Sequence, residues 1–375
     1  MNARRPVLLV LRALGLGDLL TAVPALRALA DAFPDHERVL ATPGYLAPLA
    51  LHTQAVSSVI DARPLAPIRW GGAPPEIAVN LHGRGPRSHE VLRALQPDRL
   101  IAFANIEARG SCGGPVWRAD EHEVARWCRM LSESRIPADP SRLDLAAPAG
   151  DPPDAARGAT LLHPGAASSA RRWPVERWAH VARVLVRRGE RVAITGGPDE
   201  VHLATELALR AGVPDRAVLA GRTDVLGLVR AVAAADRVVC GDTGVAHLAT
   251  ALGRPSVILF GPTPPAWWGP PEDRPWHRAL WAGEVSDPHA DRPARGLLAI
   301  QARDVLDALT DLPARPASHA RTPDLAASAR TPEVAGASAR TPGFAATSAA
   351  SLAASEAMML GLSASHTPRA PEAPR

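Results

Sequence analysis

Val7-Leu8-Leu9-Val10-Leu11-Arg12-Ala13-Leu14-Gly15-Leu16-Gly17-Asp18-Leu19-Leu20 decides how the rest of the chain is read. Val7 to Leu11 is a short, uninterrupted apolar run between Pro6 and a glycine turn, the pattern of a strand covered on both faces. The glycines let the backbone turn tightly and let a ligand approach it closely. An apolar helix follows, roughly Leu19 to Phe33, with Pro24 near its first turn or kinking it. Strand, tight turn and helix in direct succession is the opening of a parallel α/β sheet.

Outward from this stretch the alternation continues. Strand-like runs recur at Arg38 to Ala41, Ser58 to Ile60 and Ile77 to Leu81, with helical patterns at Ser88 to Leu95 and His122 to Ser134. Pro-, Ala- and Asp-rich sequence over 137–158 breaks the pattern and reads as a linker between a first domain, 1–136, and a second, 159–295. The second domain repeats the theme. Strands are expected at Thr160 to His163, Arg191 to Thr195, Ala217 to Leu219, Arg237 to Cys240 and Ser256 to Phe260. Helices are expected at Val175 to Arg188, Val201 to Ala211, Leu226 to Ala235 and Ala246 to Leu252. One amphipathic helix within 296–312 closes the fold, apolar at Leu297, Leu298, Ile300, Val305, Leu306 and Leu309. Over 313–375 the segment Ala-Arg-Thr-Pro recurs from Ala320, Ala329 and Ala339 among Ala and Ser. So few large apolar residues cannot offset chain entropy, so disorder is expected there.

Composition narrows the classes of function. The apolar share of 46% over 375 residues is enough for two buried cores. The sequence contains no lysine, so its 42 basic residues are all arginine, which reflects compositional bias rather than a dedicated arginine surface. A net charge of +4 without a basic block gives no footprint for nucleic acid. Cys112, Cys128 and Cys240 lack metal-ligand spacing and suit a reducing cytoplasm better than a disulfide scaffold. Arg12 and Asp18 interrupt the apolar N-terminus, which argues against a signal peptide, and no apolar run is long enough to span a bilayer. A cytoplasmic protein is expected, at most peripheral to the inner face of a membrane.

Two open parallel sheets facing each other leave a cleft at the carboxyl ends of their strands, where ligands bind. The turn after the first strand does not complete a dinucleotide fingerprint, because Leu20 stands where its third glycine belongs. It places Asp18 at a helix start instead. There a carboxylate acts as an N-cap, as an ionised general base, or as both. In the second domain, His163-Pro164-Gly165-Ala166-Ala167-Ser168-Ser169-Ala170-Arg171-Arg172-Trp173-Pro174 runs from strand end to helix start. Ser168, Ser169 and Arg171 there form either an anion site or a solvated loop. Gly241-Asp242-Thr243-Gly244-Val245-Ala246-His247 presents amides and a hydroxyl at another helix start, with His247 facing the same anion or packed as a core histidine. Thr195, Gly196 and Glu200 form a fourth turn, in which Glu200, rather than Asp199, is the candidate for ribose hydroxyls. Asn80 to Gly85, carrying His82 and Arg84, is expected on the acceptor side.

These three turns, in this order, resemble glycosyltransferase family 9, the group of ADP-heptose:lipopolysaccharide heptosyltransferases. The likeness runs from about Val7 to about Asp311 and rests on Leu16-Gly17-Asp18 before Leu19 to Leu26, His163-Pro164-Gly165 leading to Arg172-Trp173-Pro174, and Asp242-Thr243-Gly244 with His247. The resemblance implies a GT-B architecture, with acceptor on the first domain and nucleotide-sugar donor, such as ADP-heptose, on the second. It implies an inverting displacement without an essential metal or further cofactor, in a setting such as lipopolysaccharide core biosynthesis with a lipid-linked glycan acceptor. By position Asp18 matches the catalytic base, Arg171 a phosphate-contacting lysine, and Asp242, Thr243, Gly244 and His247 the donor motif. Arg12 matches a basic residue near the acceptor, and Thr223 falls near the nucleobase pocket. Arginine in place of lysine keeps the charge but offers a planar fork. A nucleotide-sugar epimerase or hydrolase on the same architecture, or a nicotinamide-dependent oxidoreductase, is the alternative reading.

Overall fold

The computed structural model describes residues 5–108 and 113–313. The tail expectation over 313–375 therefore lies, but for Pro313, outside the described residues, as does Cys112. Two five-stranded, wholly parallel sheets carry the fold. The first is built from β1 (Val7–Leu11), β2 (Glu37–Thr42), β3 (Ser58–Asp61), β4 (Ile77–Asn80) and β5 (Arg99–Ile101), in the order β3-β2-β1-β4-β5. The second is built from β6 (Thr160–His163), β7 (Val192–Ile194), β8 (Arg237–Gly241), β9 (Ser256–Leu259) and β10 (His277–Leu280), in the order β10-β9-β8-β6-β7.

Strand order reverses between β1 and β4 in the first sheet and between β6 and β8 in the second. Those are the positions where adjacent strand-end loops diverge to opposite faces and leave a crevice. The turns after β1, β6 and β8 are the three singled out from sequence.

The helices that matter for the site are α1 (Leu16–Thr21), α2 (Val23–Ala32), α3 (Ala47–His52), α4 (Arg87–Arg93), α5 (Glu123–Glu133), α6 (Val175–Arg187), α7 (Val201–Ala211), α8 (Val225–Ala234) and α9 (Gly244–Ala251). Three more follow: α10 (Pro265–Trp268), α11 (Arg295–Ala299) and α12 (Ala302–Thr310). One buried apolar cluster runs without a break from Leu19, Val23 and Leu26 of α1 and α2 to Val229 of α8 and Val245 and Leu248 of α9. The two domains are thus joined by core-like packing. The 137–158 segment is strapped to both halves: Arg27 of α2 donates to the carbonyls of Arg142 and Asp144, and the amide of Leu145 donates to Ala251 of α9 at 2.8 Å.

Several expectations need correcting. The single helix expected over Leu19 to Phe33 is two, broken at Ala22, with Pro24 in the first turn of α2, where its missing N–H has no partner to lose. The closing helix is also two. Trp173 Nε1 and Arg177 donate to the carbonyl of Ile300, which is thereby unavailable to a continuing helix, and Gln301 starts α12 by donating its amide to Asp304. Ala217 to Leu219 is not a strand of the sheet. A short 3-10 turn, Asp215–Ala217, leads into one isolated bridge between Val218 and Ile194. β5 and β10 were not foreseen, being respectively three residues long and polar at His277 and Arg278.

Candidate functional site

The site begins with Arg12, the residue immediately after β1. Its amide donates to Ala41 of β2, and its side chain turns fully into the protein. Nε donates to the carbonyl of Asp18 at 3.0 Å, Nη1 to the carbonyl of Leu81, and Nη2 to Asp18 Oδ1 at 3.2 Å and Glu123 Oε1 at 2.8 Å. The guanidinium carbon lies 4.9 Å from the centroid of the Trp127 ring. Expected at the acceptor, Arg12 instead spends its donors on holding the turn, and it offers no exposed face to a ligand.

Asp18 is buried apart from a sliver of its carboxylate. Oδ2 accepts from the amide of Gly15 at 3.1 Å, so the carboxylate caps its own helix while Oδ1 meets Arg12. Tyr45, the only tyrosine in the chain, is half exposed, and its phenol is pushed up by desolvation and by the nearby Asp18 carboxylate. The Asp18 carboxylate, paired with Arg12 at the mouth of the first sheet, is the central electrostatic feature of this domain.

Across the domain boundary α1 packs closely on α9, glycine facing glycine between the Leu16 and His247 side chains. A β-carbon added at Gly17 would lie 2.9 Å from the His247 ring, and one at Gly244 only 2.8 Å from Leu16 and 3.0 Å from the Gly17 amide. Only glycine permits this approach at both positions. The contact brings the Asp18 turn to the start of α9, where Thr243 is the N-cap. Thr243 Oγ1 is shielded and makes no hydrogen bond to any described residue. Arg171, at the end of a 3-10 turn Ser169–Arg171 that Ser168 caps, sends Nη1 to the carbonyl of Asp242 at 3.4 Å. Arg171, Asp242, Thr243, Gly244 and His247 are thus gathered opposite Asp18.

His247 is half-buried, with its ring 6.0 Å from that of Trp268. Burial, then the nearby His122, hold it near 4 against an ordinary value of 6.5, so it is neutral at pH 7 and offers an N–H or a lone pair rather than a charge. Burial likewise depresses His82 to about 3 and His89 to about 4. All three bind fewer protons folded than unfolded. Stability is then complete above about pH 6.5 and falls as pH drops from there toward 4. Urea titrations at pH 7.0 and 5.0 are expected to show the lower midpoint at pH 5.0; equal midpoints would contradict the buried, neutral state.

Other expected residues take up different positions. Thr195 is buried, and its hydroxyl is within hydrogen-bonding distance of His163 Nδ1, 3.1 Å away, and of the Leu162 carbonyl. Glu200 folds back over Gly165 and accepts from the amide of Gly197 at 2.7 Å, close beside Gly196. Thr223 is half-buried at the approach to α8, beside Gly227. His82 is buried next to Arg12, whereas Arg84 is exposed. A cavity of about 410 Å³ opens between the domains beside His247, walled by α1, the start of α5 and the loop after α10, and it includes none of the other expected residues. Among the described residues no group of three or more His, Cys, Asp or Glu is placed to hold a metal ion.

Sequence reading missed Glu123 and its neighbours. Glu123 is fully buried at the start of α5 and accepts from Arg12, from Arg126 and from Trp127 Nε1, the last at 2.8 Å. These two arginines hold its carboxyl below the usual range despite burial, which acts the other way. Its neighbour His122 caps α5 and lies within hydrogen-bonding distance of the Gly269 carbonyl of the second domain, at 3.0 Å.

Residues 118–289 match the family model of glycosyltransferase family 9 (heptosyltransferase). Over these residues the chain is similar to that family. Lipooligosaccharide heptosyltransferase 2 of Haemophilus influenzae is 33% identical to it over 121 residues, 31% of this chain and 34% of that protein. Lipopolysaccharide heptosyltransferase 1 of Escherichia coli K12 is 35% identical over 119 residues, 32% of this chain and 36% of the relative. The family 9-like chain thus spans about a third of the length of these curated relatives. The solved structure of E. coli ADP-heptose lipopolysaccharide heptosyltransferase II aligns over 82% of this chain and 98% of its own, with a TM-score of 0.66 at 20% identity. The architecture of the family 9-like chain is GT-B, two parallel-sheet α/β domains meeting at their strand-end loops.

Proposed function

We propose that this chain transfers a sugar from a nucleoside-diphosphate donor to an acceptor hydroxyl, with inversion, Asp18 serving as general base. One observation carries the reading: the Asp18 carboxylate and the start of α9, with Arg171 and the unused Thr243 hydroxyl, come together through the glycine contact of α1 with α9. The family match and the heptosyltransferase relatives support ADP-heptose, or a donor like it, and a lipopolysaccharide-type glycan acceptor.

In this reading the diphosphate rests against the amides of Thr243 and Gly244, the Thr243 hydroxyl and the Arg171 fork, with Ser168 and Ser169 at the edge of the same loop. These groups stabilise the charge that grows on the departing nucleotide. Neutral His247 contributes a hydrogen bond on the sugar side. Glu200 and Thr223 lie toward the nucleoside and exposed Arg84 toward the acceptor, while His82, buried beside Arg12, drops out of the acceptor set. Asp18 takes the proton of the acceptor hydroxyl as its oxygen bonds to the anomeric carbon and the glycosidic C–O bond to the diphosphate breaks. No metal or further cofactor enters this scheme. No helix of the described residues is long and apolar enough to cross a membrane; we place the reaction on the cytoplasmic side, with any membrane contact peripheral and made through the acceptor.

Arg171→Ala is expected to weaken ADP binding by about 10- to 100-fold, the value of one or two hydrogen bonds from a charged donor. Isothermal titration calorimetry with ADP measures it. Wild-type affinity in the variant would remove Arg171, and with it the anion site, from this scheme.

A further inference from the structure

We propose that Glu123 is the positioning residue for Asp18, acting through the single Arg12 nitrogen that the two carboxylates share. The inference rests on the reading of Asp18 as base. Nη2 of Arg12 donates to Asp18 Oδ1 at 3.2 Å and to Glu123 Oε1 at 2.8 Å. The shorter, fully buried contact is the one to Glu123. Glu123 is in turn fixed by Trp127 Nε1 at 2.8 Å and by Arg126, whose Nη2 is anchored on the carbonyls of Arg118, Ala119 and Glu121. A base must keep its carboxylate still and must not lose its basicity to a neighbouring cation. An arginine paired with Asp18 alone would draw the carboxylate into a tight ion pair and make it a poor proton acceptor. Glu123 prevents this by taking the larger share of the guanidinium, while Nε and Nη1 of Arg12 stay locked on the carbonyls of Asp18 and Leu81.

The same arrangement links the base to the domain contact. Glu123 follows His122, which reaches the Gly269 carbonyl of the second domain. The first turn of α5 therefore touches both the Arg12–Asp18 pair and the opposite wall of the cleft.

The titration of Asp18 itself tests this and needs no substrate, so its outcome is independent of whether sugar transfer is ever observed. Charged and titratable groups at the Asp18–Arg12 turn include Arg12 and Tyr45, which face Asp18, and His82, Glu123, His122 and His247 grouped around Arg12 and Glu123. Carbon-13 carboxyl NMR of the full chain labelled at aspartate, with Asp18→Asn identifying the resonance, reads its midpoint. In Glu123→Gln the buried negative charge is gone, and Arg12 turns its whole charge on Asp18. The midpoint is expected to fall by about one pH unit.

Glu123→Asp retains the charge but retracts it by one methylene from Nη2, so a smaller fall in the same direction is expected. It decides the matter should the glutamine variant fail to give a cooperative melt. Cooperative melting of either variant with an unmoved Asp18 midpoint would overturn the proposal.

Discussion

Asp18→Asn is expected to lower turnover by ~10²–10⁴-fold, the usual contribution of a general base. Affinity for the nucleotide sugar should stay at the wild-type level. Asparagine keeps the size of the side chain and an oxygen for the Gly15 amide, so the capping interaction at the start of α1 survives. Arg12 keeps Glu123, the Thr21 hydroxyl and the carbonyls of Asp18 and Leu81. The loss therefore falls on chemistry rather than on folding. Release of nucleoside diphosphate in the presence of acceptor gives kcat, and calorimetry with the donor gives the affinity. Wild-type kcat in the variant would refute the assignment of the base. Equal losses in kcat and donor affinity would mean that Asp18 belongs to the donor site.

The parts of this site that are local in sequence were legible, and the parts that are not local were hidden. Strands covered on both faces write themselves as apolar runs, so β1, β6, β8 and β9 stand out. Each of the three loaded turns follows one of them directly, and alternation of strand and helix is enough to put those turns on one edge. Side-chain direction within a turn is another matter. Thr195 and His82 lie in the turns expected of them but face inward, toward His163 and Arg12. Arg12 has the residue type of a ligand contact, and only the fold reveals that a carboxylate 111 positions later claims it. Nothing in the spacing around Glu123 distinguishes it from the acidic residue common in a first helical turn. The broken closing helix has the same cause: its apolar period runs on through Ile300, while the carbonyl there is taken by Trp173 and Arg177 from another element.

Replacing Arg12 by methionine should produce a large loss of stability in the first domain. The side chain is fully buried, so the cost is not moderated by solvent. Removing one partner of a buried ion pair leaves the remaining charge uncompensated and typically costs about 3–5 kcal/mol. Here Asp18 loses Arg12, the Leu81 carbonyl loses a donor, and Glu123 keeps Arg126 and Trp127. For domains of this size each kcal/mol shifts Tm by about 2–4 °C, so calorimetry is expected to show a fall of about 6–20 °C. The double variant Arg12→Met, Glu123→Gln takes the carboxylate from buried Arg126 as well, so no recovery of stability is expected. Activity should not return either, because Asp18 would still lack the group that orients it. A single variant melting at the wild-type temperature would show that the guanidinium contributes nothing to holding the β1 turn against α5. A double variant that regained full turnover would show that Asp18 needs no such support.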